Sequence, residues 1–179
     1  PCSVADMSGL DIGYAMRQSL DPAQYEADAF RVHDRLVERK QKGRKTAAGF
    51  YLYGTGEHRE NPMALEIIDA VRDELGVTRR DIDDREILER SIYALVVEGA
   101  RILDEGVAQR ASDIDVVYVN GYGFPRWRGG PMHYAQTVGL DTVRNWVANF
   151  GESSSRWWSL PPGLDLAAAR GDWVVEEAR

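Results

Sequence analysis

One cysteine, three histidines and no apolar run of bilayer length set the first limits on this 179-residue chain. Cys2 stands alone, so no intrachain disulfide can form, and a cytoplasmic compartment is the natural expectation. His33, His58 and His133 lie far apart, without a second ligand at short spacing, so no metal site is expected. Basic residues are in deficit: 22 Lys and Arg stand against 29 Asp and Glu, a formal charge of −7. That balance argues against binding nucleic acid or an anionic membrane surface. The longest apolar stretches, such as Tyr93 to Val97, are core-sized and fall far short of the roughly 20 residues that span a bilayer. No secretory leader and no Ser-Lys-Leu ending is read, and the chain opens at Pro1 as if cut from something longer.

What is present is an ordinary globular composition, 44% hydrophobic and 28% charged, enough for one domain or two small ones. Nearly every long segment reads as helix. The clearest runs from about Asp83 to Glu105, with Leu88, Ile92, Leu95, Gly99, Ile102 and Leu103 at the three-to-four spacing of a buried face. Asp83 is placed to cap it, Glu86 follows three residues on, and Gly106 supplies a stop. Asp21-Pro22 and Asn61-Pro62 each set a capping side chain before a proline at the first helical position. Ser112 with Asp115 predicts another helix start, ending near Gly121; Asp141 to Phe150 and Asp165 to Arg170 predict two more. Gly43 to Gly56 is irregular, with Phe50, Leu52 and Tyr53 in a short extended piece, and Gly121 to Gly130 is a loop. Strands and helices do not alternate, so the expected class is all-α rather than a doubly wound sheet.

The chain also resembles itself. At an offset of 130, residues 1–11 and 131–141 share a proline, an alanine and a Gly-Leu-Asp triplet: Pro1 with Pro131, Ala5 with Ala135, Gly9 with Gly139, Leu10 with Leu140, Asp11 with Asp141. The physical reading is a short helix, a glycine turn and a second helix capped by the aspartate; coincidence among common turn residues is the alternative. A true repeat implies that the first copy lacks the residues corresponding to Asp83–Gly130. It should then leave apolar surface open unless another chain or an upstream segment fills the gap.

These residues carry a family resemblance. Asn120-Gly121-Tyr122-Gly123-Phe124-Pro125-Arg126-Trp127-Arg128-Gly129-Gly130-Pro131-Met132 closely resembles the signature of the last domain of the bifunctional enoyl-CoA hydratase/3-hydroxyacyl-CoA dehydrogenases of fatty-acid oxidation. Glu89 to Leu103, Ala108 to Val119, Asp6 to Gly13 and the Gly43-Arg44-Lys45-Thr46 to Gly49-Phe50-Tyr51 segment are similar to the same family in order. One departure is Ala47, where the family usually has glycine. The resemblance implies a helical bundle like the 6-phosphogluconate dehydrogenase C-terminal domain, in two tandem related copies with the first truncated at its N-terminus. The expected division is 1–60 for the remainder of the first copy, 61–82 for a connecting helix or linker, and 83–179 for the second copy.

In that family a hydroxyacyl thioester passes a hydride to NAD while a histidine base takes the hydroxyl proton. The resemblance places the histidine, glutamate and serine of that chemistry in a preceding Rossmann domain, and the asparagine upstream of the position matching Pro1. No catalytic residue is therefore assigned here, and none for cofactor binding: NAD is expected on the missing Rossmann domain. Gly54-Thr55-Gly56 and Gly121-Tyr122-Gly123 both lack the third glycine and the preceding strand of a dinucleotide fingerprint. Arg126 and Arg128 flank Trp127 and could hold a CoA phosphate or stack on adenine; the alternative is a loop that packs Trp127 and pairs its arginines with acids. Lys45, in the basic run Lys42 to Thr46, is a third candidate substrate contact, against a solvated loop. Glu98 reads as a partner for Arg101, and Trp146, Trp157, Trp158 and Trp173 as core or interface aromatics. The expected role is scaffold, substrate-side wall and (pseudo)dimer interface, with the missing Rossmann domain, acyl-CoA substrate and a homodimer as partners. The competing reading is a free-standing helical interaction module without catalysis.

Overall fold

The computed structural model describes residues 2–21, 25–151 and 158–173. Two units divide at Arg80, Pro1–Arg80 and Asp81–Arg179. The first contains α1 (Cys2–Ser8), α2 (Leu10–Gln18), α3 (Ala27–Glu38), an antiparallel pair β1 (Tyr51–Leu52) and β2 (Arg59–Glu60), and α4 (Pro62–Glu74). Helices α2 and α4 pack on α3, burying Leu10, Leu36, Val37, Ala64, Ile67 and Val71. The Asn61-Pro62 signal acts as read: the Asn61 side chain accepts from Met63 N at 3.2 Å, with Pro62 leading the helix. The start read at Pro22 falls on 22–24, outside the described residues; α3 begins at Ala27.

The irregular Gly43–Gly56 segment is organised by a carboxylate that the pattern did not single out. Asp6 is buried and accepts from Phe50 N at 2.9 Å, Tyr51 N at 3.0 Å and Tyr53 Oη at 2.8 Å. Gly43 allows this approach, since a Cβ there would sit 2.2 Å from the Asp6 carbonyl oxygen.

The second unit is built on α5 (Asp84–Asp104), followed by α6 (Ala111–Gly121), α7 (Pro131–Val138), α8 (Leu140–Gly151) and α9 (Pro162–Arg170). Asp83 accepts from Glu86 N at 2.7 Å, and Gly106, at φ 70°, closes the helix with Gly106 N to Leu103 O at 3.0 Å. The buried face of α5 overlaps the one read only in part: Gly99 is buried, and Ile92, Ile102 and Leu103 pack against the cores. Tyr93, Val96, Val97, Gly99 and Ala100 are buried, while Leu88 is exposed and Ile92, Leu95, Ile102 and Leu103 are half-buried. Two apolar stripes share this helix. Helices α7, α8 and α9 take the stripe whose small and β-branched residues let them approach closely, adding Ala135, Leu140, Val143, Val147, Leu164, Ala167 and Ala168 to one core.

Three helix starts also need correction. Ser112 does not cap α6: Arg110 precedes the helix and its N–H donates to Asp113 at 3.1 Å, while the guanidinium grips the same carboxylate. Asp11 and Asp141 do not cap α2 and α8; Gly9 holds the position before α2, Gly139 the one before α8, and each aspartate lies in the first turn, where it favours the helix dipole. Helix α9 starts at Pro162 rather than Asp165, because a proline at the first helical position costs no hydrogen bond.

The two glycine turns share one geometry. Gly9 has φ 94° and ψ 113°, Gly139 φ 105° and ψ 117°, and each N–H reaches the carbonyl four residues back at 3.0 Å. Their surroundings differ. Met132, Ala135, Val143 and Val147 are fully buried in the second unit, whereas Met7, Ile12 and Met16 on α1 and α2 are 61%, 64% and 61% exposed.

Candidate functional site

The candidate arginines sit on a turn that α6 and α7 hold in place. Along α6, Ala111, Ile114, Asp115 and Tyr118 share one face, which puts the Asp115 carboxylate among buried side chains. It is satisfied by the start of α7, accepting from Met132 N at 2.8 Å and His133 N at 3.0 Å. Burial still pushes the Asp115 carboxyl above its ordinary range, against the opposing effect of those two backbone bonds. Gly130, at φ 115°, lies so close that a Cβ would come within 2.3 Å of the Asp115 carboxylate. Sequence reading used Asp115 only as part of a cap; its spacing with Ala111 and Ile114 was the available signal for burial.

Between α6 and α7, Arg126–Arg128 form one turn of 3₁₀-helix, closed by Gly129 in the left-handed region. Arg126 donates to Asn120 Oδ1 at 2.9 Å. The Arg128 guanidinium lies 4.1 Å from the Trp127 ring centroid and 5.5 Å from that of Tyr134. Neither arginine makes an ion pair with an acid among the described residues, and Trp127 is not packed away. An open groove of about 460 Å³ runs beside this turn, lined by Val116, Val119, Asn120, Arg126 and His133.

Lys45 belongs to the first unit and is engaged locally. Its ammonium pairs with Asp11, and Lys42 approaches the same carboxylate at 3.9 Å. The hydrogen bond from Lys45 is the largest influence holding the Asp11 carboxyl below its usual range. Arg44 lies over Tyr53 at 5.2 Å. Glu98 pairs with Arg101 at 3.3 Å, the ordinary reading of that carboxylate. Trp146, Trp158 and Trp173 pack against the second unit's core, and Trp157 lies outside the described residues. Among the described residues no group of three or more His, Cys, Asp or Glu is gathered as for a metal, and no helix is long and apolar enough to cross a membrane.

The family model described as "3-hydroxyacyl-CoA dehydrogenase, C-terminal domain" matches residues 1–53 and 87–162. The chain belongs to this family. Relatives include a peroxisomal bifunctional enzyme of Danio rerio, 36% identical over 98% of this chain and 27% of its own length, and one of Homo sapiens, 39% identical over 99% of this chain and again 27% of its own. The dehydrogenase part of multifunctional enzyme 1 from C. elegans matches in structure with a TM-score of 0.68 at 28% identity, over 93% of this chain and 38% of that one. The chain thus spans about a quarter of the length of the vertebrate relatives.

Neither Gly-x-Gly segment among the described residues has the geometry of a dinucleotide-binding turn. Gly54-Thr55-Gly56 forms the tip between β1 and β2, and Gly121-Tyr122-Gly123 follows the end of α6. In neither place does a glycine turn lead from a strand into a helix whose N-terminus could meet a pyrophosphate.

Proposed function

We propose that this chain is the non-catalytic helical region of an NAD-dependent 3-hydroxyacyl-CoA dehydrogenase of fatty-acid β-oxidation. The parent reaction would oxidise a 3-hydroxyacyl-CoA to the 3-ketoacyl-CoA, with NAD held by a Rossmann domain elsewhere in the parent. The observation that carries this reading is the family match over two separated segments, 1–53 and 87–162, each containing a glycine turn of the same geometry. Tandem copies account for both: residues 1–60 as the remainder of one, 61–82 as the connector, 83–179 as the other. The copies would act together as scaffold, substrate-side wall and (pseudo)dimer interface, with a homodimer formed through helical faces. The relatives' names, bifunctional and multifunctional, support a parent with a second activity such as enoyl-CoA hydration. A lone cysteine suits a reducing compartment, cytoplasmic or, as those relatives are named, peroxisomal.

In this reading Arg126, Arg128 and Lys45 are the contacts offered to the anionic parts of an acyl-CoA. The exposure of all three supports that assignment. The test is a chimera in which this chain replaces the matching region of a vertebrate bifunctional enzyme. The chimera should oxidise 3-hydroxybutyryl-CoA with NAD, and the chain alone should not. Full turnover by the chain alone overturns the reading, and an inactive but folded chimera favours the interaction module.

A further inference from the structure

The turn after α6 displays more than a small anion would use. In the second unit Arg85, Arg90, Arg101, Arg110 and Arg144 are committed to Glu89, Glu86, Glu98, Asp113 and Asp165. Arg126 and Arg128 are held instead by an amide oxygen and by aromatic rings. In a chain of net charge −7, two cations without an acidic partner among the described residues stand on a single turn. Beside them the apolar side chains face outward: Trp127 is 77% exposed, Tyr122 76%, Val116 60% and Val117 55%. The phosphates of a CoA would engage the guanidinium groups and its adenine could cover a ring, but the exposed valines of α6 would stay in water.

The turn is also anchored at its C-terminal end. Asp115 fastens the start of α7, Gly130 packs against Asp115, and a Cβ on Gly129 would fall 2.4 Å from the His133 ring. Arg128 is stacked on Trp127 before anything binds. Side chains ordered in advance lose little entropy on association. Exposed Trp, Tyr and Arg are the residues that dominate binding energy in protein interfaces. The groove beside α6 is lined by Val116, Val119 and Arg126, and its one carboxylate, Asp115, is buried and taken up by the start of α7, which suits the helix-in-groove mode of peptide recognition.

We propose that the outer face of α6 and the Arg126–Arg128 turn form a protein-docking surface whose occupant is an acidic amphipathic helix. Its aliphatic side chains lie on Val116, Val117 and Trp127, and its carboxylates meet Arg126 and Arg128. Charge complementarity selects the sign: the surface offers cations that no acid among the described residues has taken up, so the partner supplies the acids. The role is additional to any contact with substrate and is independent of whether a parent enzyme turns over.

The experiment titrates the 179-residue chain with a labelled helical peptide of about 15 residues carrying Leu at i, i+3, i+4 and i+7 and Glu between them. The same peptide with Lys for Glu, and coenzyme A alone, are the parallel arms, all followed by fluorescence anisotropy or competition. The acidic peptide should bind and the basic one should not, with affinity falling as salt rises. R126E/R128E should weaken the acidic peptide about tenfold or more and turn the preference toward the basic one, and W127A should weaken it by a similar factor. Circular dichroism on each variant confirms the fold, and R126A/R128A stands in if the reversal perturbs it. Equal binding of the two peptides, no response to the arginine substitutions, or binding of coenzyme A without binding of the acidic peptide each overturns the proposal.

Discussion

Ala47 stands at φ 58° and ψ 6°, in the left-handed region that favours glycine. An alanine there pushes its Cβ toward the following carbonyl, which costs about 1–2 kcal/mol, whereas glycine adopts the conformation freely but loses more chain entropy on folding, about 0.4–1 kcal/mol. The strain outweighs the entropy. Ala47→Gly is therefore expected to stabilise the first unit by about 0.5–1 kcal/mol, visible as a higher urea midpoint with an unchanged slope. A lower midpoint would mean that the turn between Gly43 and Gly49 relaxes around the alanine at no cost.

At the scale of elements, Asp115 joins α6 to α7, and its titration reads that joint. Burial raises its folded pKa above the ordinary value of 3.8. The folded state therefore keeps a proton that the unfolded chain has already lost, and stability falls as pH rises from that value through the folded pKa. Above that window the full cost of an ionised buried carboxylate is present. Asp115→Ala removes this dependence and strands Met132 N–H and His133 N–H, at a cost of about 1–3 kcal/mol. The stability lost to the substitution should be larger near pH 4 than at pH 7, measured by urea unfolding at both; a constant or reversed difference would contradict the assignment. Such joints set the limit of what sequence alone revealed. Signals carried within a few residues, such as Asp83 with Glu86, Asn61 with Pro62, or Gly9 and Gly139, were legible because their partners are adjacent in the chain. Asp6 and Asp115 were not, since their partners lie 44 and 17 residues away. The most buried stripe of α5 was only partly legible for a related reason: the helix is apolar on two stripes, and the packing of α7, α8 and α9 decides which is buried more deeply. Of the site, Arg126 and Arg128 were legible as a pair beside an indole, while their lack of an acidic partner among the described residues depends on where the other described carboxylates went.

For the whole molecule, the decisive fact is that each unit has its own hydrophobic core among the described residues. The first unit's core draws on residues from Leu10 to Val71, and the second unit's two clusters on residues from Tyr93 to Ala168, extended by Trp173. The second unit encloses a central helix, α5, against α7, α8 and α9, and fully buries Val96, Val143, Val147 and Leu164. The first has fewer buried side chains and leaves Met7, Ile12 and Met16 in water. Burial of apolar area at about 25 cal/mol per Å² is what offsets chain entropy, so the two pieces should not be equally able to stand alone. Residues 81–179, expressed separately, are expected to stay helical and to unfold in one cooperative transition. Residues 1–80 should bind a dye for apolar surface such as ANS and melt broadly, because Met7, Ile12 and Met16 on α1 and α2 are exposed. Calorimetry on the two pieces gives the answer: a first unit that melts sharply, as sharply as the second, would show that its small core suffices and that the exposed methionines and isoleucine are ordinary surface.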